Sequence, residues 1–100
     1  MANQIIWSSR AQNDKKEILK YWTQRNKSNH YSKKLNQLFK EAILLLREHP
    51  YIGRPTDDAP VRIKIVKEYL LIYEVTETSI NILSIWDGRQ EPSKLEDILK

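Results

Sequence analysis

Two stretches in the first half of the chain carry apolar residues at three- and four-residue steps, the period of an amphipathic helix. The first runs from about Arg10 to Arg25, with Ser8-Ser9 as candidate N-caps, because a serine hydroxyl can accept a hydrogen bond from an otherwise unpaired amide. The second starts after Ser28 or Asn29 and ends before Pro50, because proline pushes the preceding residue out of the α region. Its apolar face is predicted from Tyr31, Leu35, Leu38, Ala42, Leu45 and Leu46. So short a connection predicts an antiparallel helical hairpin.

The second half changes to a period of two. In the run 61–65, Val61, Ile63 and Ile65 alternate with Arg62 and Lys64, which predicts a strand with one buried and one polar face, so that Arg62 is turned away from the core. Residues 69–75 and 80–86 are dense in β-branched and aromatic residues and predict two buried strands joined by a turn.

Three further segments complete the prediction. Residues 4–7 are β-like, the proline-rich stretch 50–60 is a loop that crosses to the sheet, and residues 93–99 suggest a short terminal helix. The predicted fold is α+β: an N-terminal strand and a helical hairpin packed on a small, mainly antiparallel sheet, with residues 1–100 as one domain.

Composition narrows the functional classes. The chain has 100 residues, no cysteine and a net charge of +4, so disulfides and thiolate metal sites are excluded. No export signal or membrane span is visible, and a cytoplasmic location is expected. Residues 1–55 hold eleven Lys/Arg against four Asp/Glu, whereas residues 56–100 hold six against nine. The basic first half can attract a polyanion or an acidic protein, or can simply be a solvated helix surface.

Several short motifs occur in a specific order. They are the Ala11/Asp14 helix start with Tyr21-Trp22, His49-Pro50 followed by Ile52-Gly53-Arg54-Pro55, Val61-Arg62, Tyr69-Leu70-Leu71-Ile72-Tyr73, and Trp86-Asp87-Gly88-Arg89. In this order and spacing, from Ile5 to about Leu95, the chain resembles the RelE/ParE family of type II toxin–antitoxin toxins. No glycine-rich phosphate loop, hydrolase serine motif or paired histidine metal motif accompanies them.

The resemblance implies a toxin held inactive by a cognate antitoxin, whose acidic, initially disordered segment folds onto it. Two targets are open: DNA gyrase, inhibited without catalysis as by ParE-like members, or ribosome-bound mRNA, cleaved as by RelE-like members. A degenerate toxin that only binds its antitoxin is a third alternative. No cofactor, metal or small-molecule ligand is implied.

The candidate site residues are basic. Alternation turns Arg62 and Lys64 away from the face of Val61 and Ile63, and in RNA-cleaving relatives a basic residue near this strand holds phosphate. The alternative for Arg62 is an ion pair with Asp57, Asp58, Glu68 or Asp87.

Arg89 follows the last strand where the family commonly places an arginine, and Gly88 is expected to supply a backbone angle that other residues resist. If the protein is a nuclease, Arg62, Lys64 and Arg89 are its candidate catalytic residues. Arg62, Arg89 and Arg54 are the candidate partner-binding residues, although Arg54 also suits a purely structural loop. Lys67 is a weaker anion contact.

A proton-transfer residue is not evident. Ribonuclease members use a tyrosine or histidine beyond the final strand, whereas here the last tyrosine is Tyr73 and no histidine follows His49. Asp87 or Glu91 could act as a base but each is better explained as a solvated or paired carboxylate. The sequence therefore favours the ParE-like alternative.

Overall fold

The computed structural model describes residues 4–88, which form two helices and five strands. The strands are β1 (Gln4–Trp7), β2 (Arg54–Pro55), β3 (Val61–Val66), β4 (Tyr69–Val75) and β5 (Ser79–Asp87), and the helices are α1 (Ser9–Asn26) and α2 (His30–Glu48). The sheet order is β1-β5-β4-β3-β2. All strand pairs are antiparallel except β1 with β5, which is parallel.

The helix ends follow the predicted signals. Ser8 is the N-cap of α1, and its hydroxyl accepts a hydrogen bond of 2.9 Å from the Ala11 amide. Asn29 is the N-cap of α2, although the hydroxyl of the neighbouring Ser28 accepts from the His30 amide. Pro50 lies just beyond the last helical residue, as expected. Neither described helix is long and apolar enough to cross a membrane.

The main core lies between the helical hairpin and one face of the sheet. The helices contribute Leu35, Phe39 and Leu46, and the sheet contributes Leu71 and Tyr73, all of them fully or almost fully buried. Burying side chains of this size removes most of their apolar surface from water, which is the dominant favourable term in folding. Val61, Ile63 and Ile72 form a second buried cluster with members of all three long strands.

The N-terminal part of α1 covers the edge of β5 where β1 ends. Strand β1 pairs with β5 only as far as Ile82. Beyond that point the Ser8 hydroxyl donates to the Leu83 carbonyl, and the Asp14 carboxylate accepts from the Ile85 amide at 3.0 Å and from the Ser84 hydroxyl at 3.2 Å. Side chains of α1 therefore replace the missing strand partner, so that these backbone groups are not left unpaired.

The α+β architecture, the hairpin and the strands β1, β3, β4 and β5 match the prediction, and three details differ. The loop 50–60 contains a two-residue strand, β2, which pairs with Ile63 and Arg62. Leu45 is 41% exposed, whereas Phe39 and Ile43, outside the predicted apolar face, are buried. The α2 face toward the sheet is therefore rotated relative to the predicted one, because the helix must fit its largest fully buried side chain, Phe39, against Tyr69. The predicted helix over 93–99 lies outside the described residues.

Candidate functional site

Arg62 holds the loop that links α2 to the sheet. On β3 it lies opposite Tyr73 of β4, whose side chain belongs to the main core, so Arg62 is on the same face of the sheet as the helices. One guanidinium nitrogen, Nη1, donates to the carbonyls of Tyr51 at 2.9 Å and Gly53 at 2.8 Å. The guanidinium carbon also lies 5.2 Å from the centre of the Tyr51 ring, within the range of a cation–π contact. No carboxylate among the described residues pairs with Arg62, so the alternative prediction of an ion pair was wrong. Arg62 bonds to the loop backbone instead.

Tyr73 secures the same loop from inside the core. Its hydroxyl donates to the Pro50 carbonyl at 2.8 Å and accepts from the Gly53 amide at 3.0 Å. The side chain is fully buried, and this burial raises the pKa of the hydroxyl above its ordinary value, against the opposing effects of the Gly53 amide and the Arg62 charge. The hydroxyl is therefore neutral and committed to the backbone. We call Arg62, Tyr73 and the loop groups they bind at 50, 51 and 53 the loop clamp.

At position 53, only glycine fits against the Tyr73 side chain. A Cβ built on Gly53 would collide with the hydroxyl and lie 2.8 Å from a ring carbon of Tyr73. Real Cβ contacts are not so short, so any larger residue would push the loop away from the sheet. The glycine is needed here for close approach and not for an unusual backbone angle.

The loop clamp presents an outward surface. Tyr51 is 66% exposed, Ile52 is 45% exposed, and Arg54, two residues further along in β2, is also exposed. The Tyr51 ring lies against Arg62 on the helix side of the sheet, whereas Arg54 is registered with Ile63, so its side chain lies on the other face. We call these three side chains the loop surface. Arg54, a predicted partner-binding residue, therefore belongs to the same exposed segment as Tyr51 and Ile52, and its side chain and the Tyr51 ring lie on opposite faces of the sheet edge.

The other predicted cations are arranged differently. Lys64 shares the helix side of β3 with Arg62, as strand alternation requires, but it lies in a groove beside α2 with Leu38, Ala42 and Leu45. Lys67 occupies the β3–β4 turn in a left-handed conformation, with φ of 56°. Arg62 and Lys64 are therefore close in sequence and on one face, but they contact different elements.

The segment after β5 corrects one expectation. Gly88 does not adopt a positive φ, so the expected special backbone angle was wrong. The constraint is steric: the Gly88 amide donates to the Glu68 carbonyl at 2.8 Å, and a Cβ on Gly88 would lie 2.8 Å from that oxygen. Arg89 lies outside the described residues, so the trio of Arg62, Lys64 and Arg89 remains a prediction.

Among residues 4–88, Arg62 has no histidine or carboxylate partner. His30 is exposed at the start of α2, and His49 is the C-cap of that helix. No cluster of three His, Asp or Glu side chains that could hold a metal ion occurs within residues 4–88. Tyr73 is the residue that sequence reasoning missed. A tyrosine in a predicted buried strand needs a partner for its hydroxyl, and this was the available signal.

Comparisons with known proteins agree with this architecture. The sequence profile described as "ParE toxin of type II toxin-antitoxin system, parDE" matches residues 5–92. Among solved structures, the chromosomal ParDE toxin–antitoxin system of P. aeruginosa matches with a TM-score of 0.72 and 20% identity, covering 84% of this chain and 94% of that one.

Two structures that contain YafQ also match the fold. The E. coli DinJ–YafQ toxin–antitoxin complex gives a TM-score of 0.59 at 17% identity, covering 87% of this chain and 93% of that one. YafQ from E. coli strain BL21(DE3) gives 0.57 at 17% identity, covering 93% and 97%. A comparison with curated protein sequences finds no significant match.

The family profile spans nearly the whole chain, and the helical hairpin on a mixed sheet is shared with the ParDE structure. This chain belongs to the ParE toxin family and is the toxin of a type II toxin–antitoxin system.

Proposed function

We propose that this toxin acts in the cytoplasm as a non-enzymatic inhibitor of DNA gyrase and that a cognate antitoxin with an acidic segment neutralises it. The family membership supports the gyrase target, because ParE-like action is the one that the resemblance associates with non-catalytic inhibition. The cleavage of ribosome-bound mRNA is the competing activity, and it makes chemical demands that can be compared with the contacts around Arg62.

The main support for the proposal is that Arg62, the predicted phosphate-binding residue of a nuclease site, is hydrogen-bonded to the loop backbone. Cleavage at a 2′-hydroxyl requires a base, a donor for the leaving oxygen and cations for the charged phosphorane. Arg62 already donates to two backbone carbonyls through Nη1, and the nearby Tyr73 hydroxyl donates to Pro50 and has a raised pKa. These contacts suit residues that shape a docking surface better than a cation that must bind the phosphorane and a hydroxyl that must transfer a proton.

The loop surface is the part that we assign to target docking. Exposed aromatic and arginine side chains are enriched where protein interfaces gain most of their binding energy, and Tyr51, Ile52 and Arg54 are all exposed in one short segment at the β2 edge of the sheet. Because the loop clamp fixes the backbone beneath them, little conformational entropy is lost when they bind.

The proposal is tested with purified protein in a gyrase supercoiling assay on relaxed plasmid. We expect concentration-dependent inhibition that the antitoxin reverses, and we expect Arg54→Glu to weaken inhibition without unfolding the protein. Lys34→Glu, an equal charge change at an exposed residue near the start of α2, is the matched control and should inhibit as the wild type does. Codon-phased cutting of mRNA after induction in cells, with supercoiling unchanged, would refute the gyrase assignment in favour of a nuclease.

A further inference from the structure

A groove of about 410 Å³ lies between β1, α1 and the second half of α2. Its apolar lining comes from Ile5 and Trp7 of β1 and from Ile43 and Leu44 of α2. Leu44 is 59% exposed, the largest exposure of any large apolar residue in the described helices. A single exposed leucine is common on protein surfaces. An exposed leucine that continues an apolar groove is different, because a contiguous apolar patch indicates a surface that another molecule covers.

Three cations line the same groove. Lys15 projects from α1, and Lys40 and Arg47 project from α2 at a spacing of seven residues, which places them on one side of the helix. The Lys15 ammonium lies 5.1 Å from the centre of the Trp7 ring. No carboxylate of residues 4–88 forms an ion pair with any of the three. Burial lowers the pKa of Lys15, and repulsion from Lys40 lowers it further.

This charge arrangement is unfavourable in isolation. Like charges that share a partly desolvated site repel one another, and the repulsion is relieved when an anion binds between them. The backbone edge of β1 is also open on this side, because β1 pairs with β5 alone within the described part of the chain. The groove therefore offers apolar contact, positive charge and strand-edge hydrogen bonds in one place.

We infer that this groove, the cationic groove, is the docking site for a segment of the antitoxin that carries carboxylates next to apolar side chains. The inference rests on the antitoxin pairing proposed above. The occupant would place a carboxylate between Lys40 and Arg47 and an apolar side chain against Leu44 and Ile43.

Other occupants fit the groove less well. A second copy of this chain would bring the basic first halves of two molecules together, and these hold eleven Lys/Arg against four Asp/Glu each. A nucleic-acid backbone would satisfy the cations but would leave the apolar lining exposed to phosphates and water. An acidic peptide with apolar side chains satisfies both parts of the lining.

The test compares two double variants with the same net charge. Lys40→Glu with Arg47→Glu reverses two cations inside the groove, whereas Lys20→Glu with Lys34→Glu reverses two exposed lysines that do not line it. Because both variants change the overall charge equally, long-range attraction of an acidic partner falls equally in both. Any difference in affinity then reports the position of the contact.

The probe is the product of the short reading frame adjacent to the gene, titrated calorimetrically into each folded toxin variant. Surface ion pairs contribute little singly, but two attractive contacts turned repulsive should raise the Kd about tenfold or more, against less than about threefold for the control. The salt dependence of the Kd should weaken in the groove variant. Leu44→Ala should raise the Kd about two- to tenfold and leave the salt dependence unchanged.

Equal affinities for the two double variants would overturn the inference and place the antitoxin elsewhere. Absence of binding to the wild-type toxin would overturn both the inference and the antitoxin pairing, while the supercoiling assay would still test the gyrase target independently. A shift in self-association, or loss of duplex DNA binding, that occurs only in the groove variant would show that a second copy or a nucleic acid is the occupant and would also overturn it.

Discussion

Tyr73→Phe is the most direct perturbation of the loop clamp. It removes the hydroxyl that donates to the Pro50 carbonyl and accepts from the Gly53 amide, and it preserves the buried ring. Two ordinary hydrogen bonds contribute about 1 kcal/mol each, and the buried Gly53 amide that loses its acceptor adds a desolvation cost, so we expect the free energy of unfolding to fall by about 2–3 kcal/mol. For a domain of this size that loss corresponds to a decrease of about 10–20 °C in Tm.

The assay is urea unfolding of the purified protein, followed by tryptophan fluorescence. Tyr51→Phe is the matched control, because the Tyr51 side chain is 66% exposed and its ring can still lie against Arg62 after the hydroxyl is removed. We expect the control to unfold within about 0.5 kcal/mol of the wild type. A Tyr73→Phe variant as stable as this control would refute the loop clamp.

The pH dependence gives an independent check of the same hydroxyl. Burial raises the Tyr73 pKa in the folded state above the ordinary value of 10.0, so between the two values the folded protein keeps a proton that the unfolded chain releases. Stability from the neutral hydroxyl is therefore complete below about pH 10 and is lost as pH rises through the folded-state pKa. The difference in unfolding free energy between the wild type and Tyr73→Phe should shrink over that interval.

Three further substitutions test neighbouring contacts. Arg62→Ala removes two charge-assisted bonds to loop carbonyls and should cost about 1–3 kcal/mol in urea unfolding, while Arg62→Lys, which lacks the planar fork, should recover only part of that loss. Gly53→Ala forces a Cβ into the ring of Tyr73 and should cost about 1–3 kcal/mol, with weaker gyrase inhibition at equal folded concentration. Asp14→Ala leaves the Ile85 amide without its acceptor and should cost about 1–3 kcal/mol, together with faster hydrogen exchange at that amide.

The sequence predicted the order and type of the main elements because each depends on local signals. Helix periodicity, the Ser8 cap and the strand alternation at 61–65 act over a few residues, and all three elements form. The prediction of which face of β3 is buried was wrong in part, because Arg62 and Lys64 lie on the helix side and Ile65 is 57% exposed. The strand pairing depends on contacts between distant segments. The parallel pairing of β1 with β5 joins residues about three-quarters of the chain apart, for example Ile5 with Ile80. No local pattern encodes that register.

The candidate site shows the same limit in its side chains. Alternation predicted that Arg62 lies on the other face of β3 from Val61 and Ile63, which is correct. It does not indicate which of the two faces the helices cover. Both faces of β3 carry packed residues, with Val61 and Ile63 in one cluster and Val66 in the other. The contact between Arg62 and the loop carbonyls could therefore be found only once the helix layer had been assigned to a face.

The two proposed interaction surfaces lie toward opposite edges of the sheet. The cationic groove borders β1, and the loop surface borders β2, at the two ends of the order β1-β5-β4-β3-β2. Four strand spacings separate β1 from β2, a distance of about 19 Å. A partner segment confined to the groove would leave the loop surface uncovered. If both proposals hold, neutralisation of gyrase inhibition would require an antitoxin long enough to extend past α2 toward the loop surface. Affinity and neutralisation would then depend on different parts of the antitoxin, since charge and apolar contacts in the groove would hold it in place while its extension would compete with the target for the loop surface.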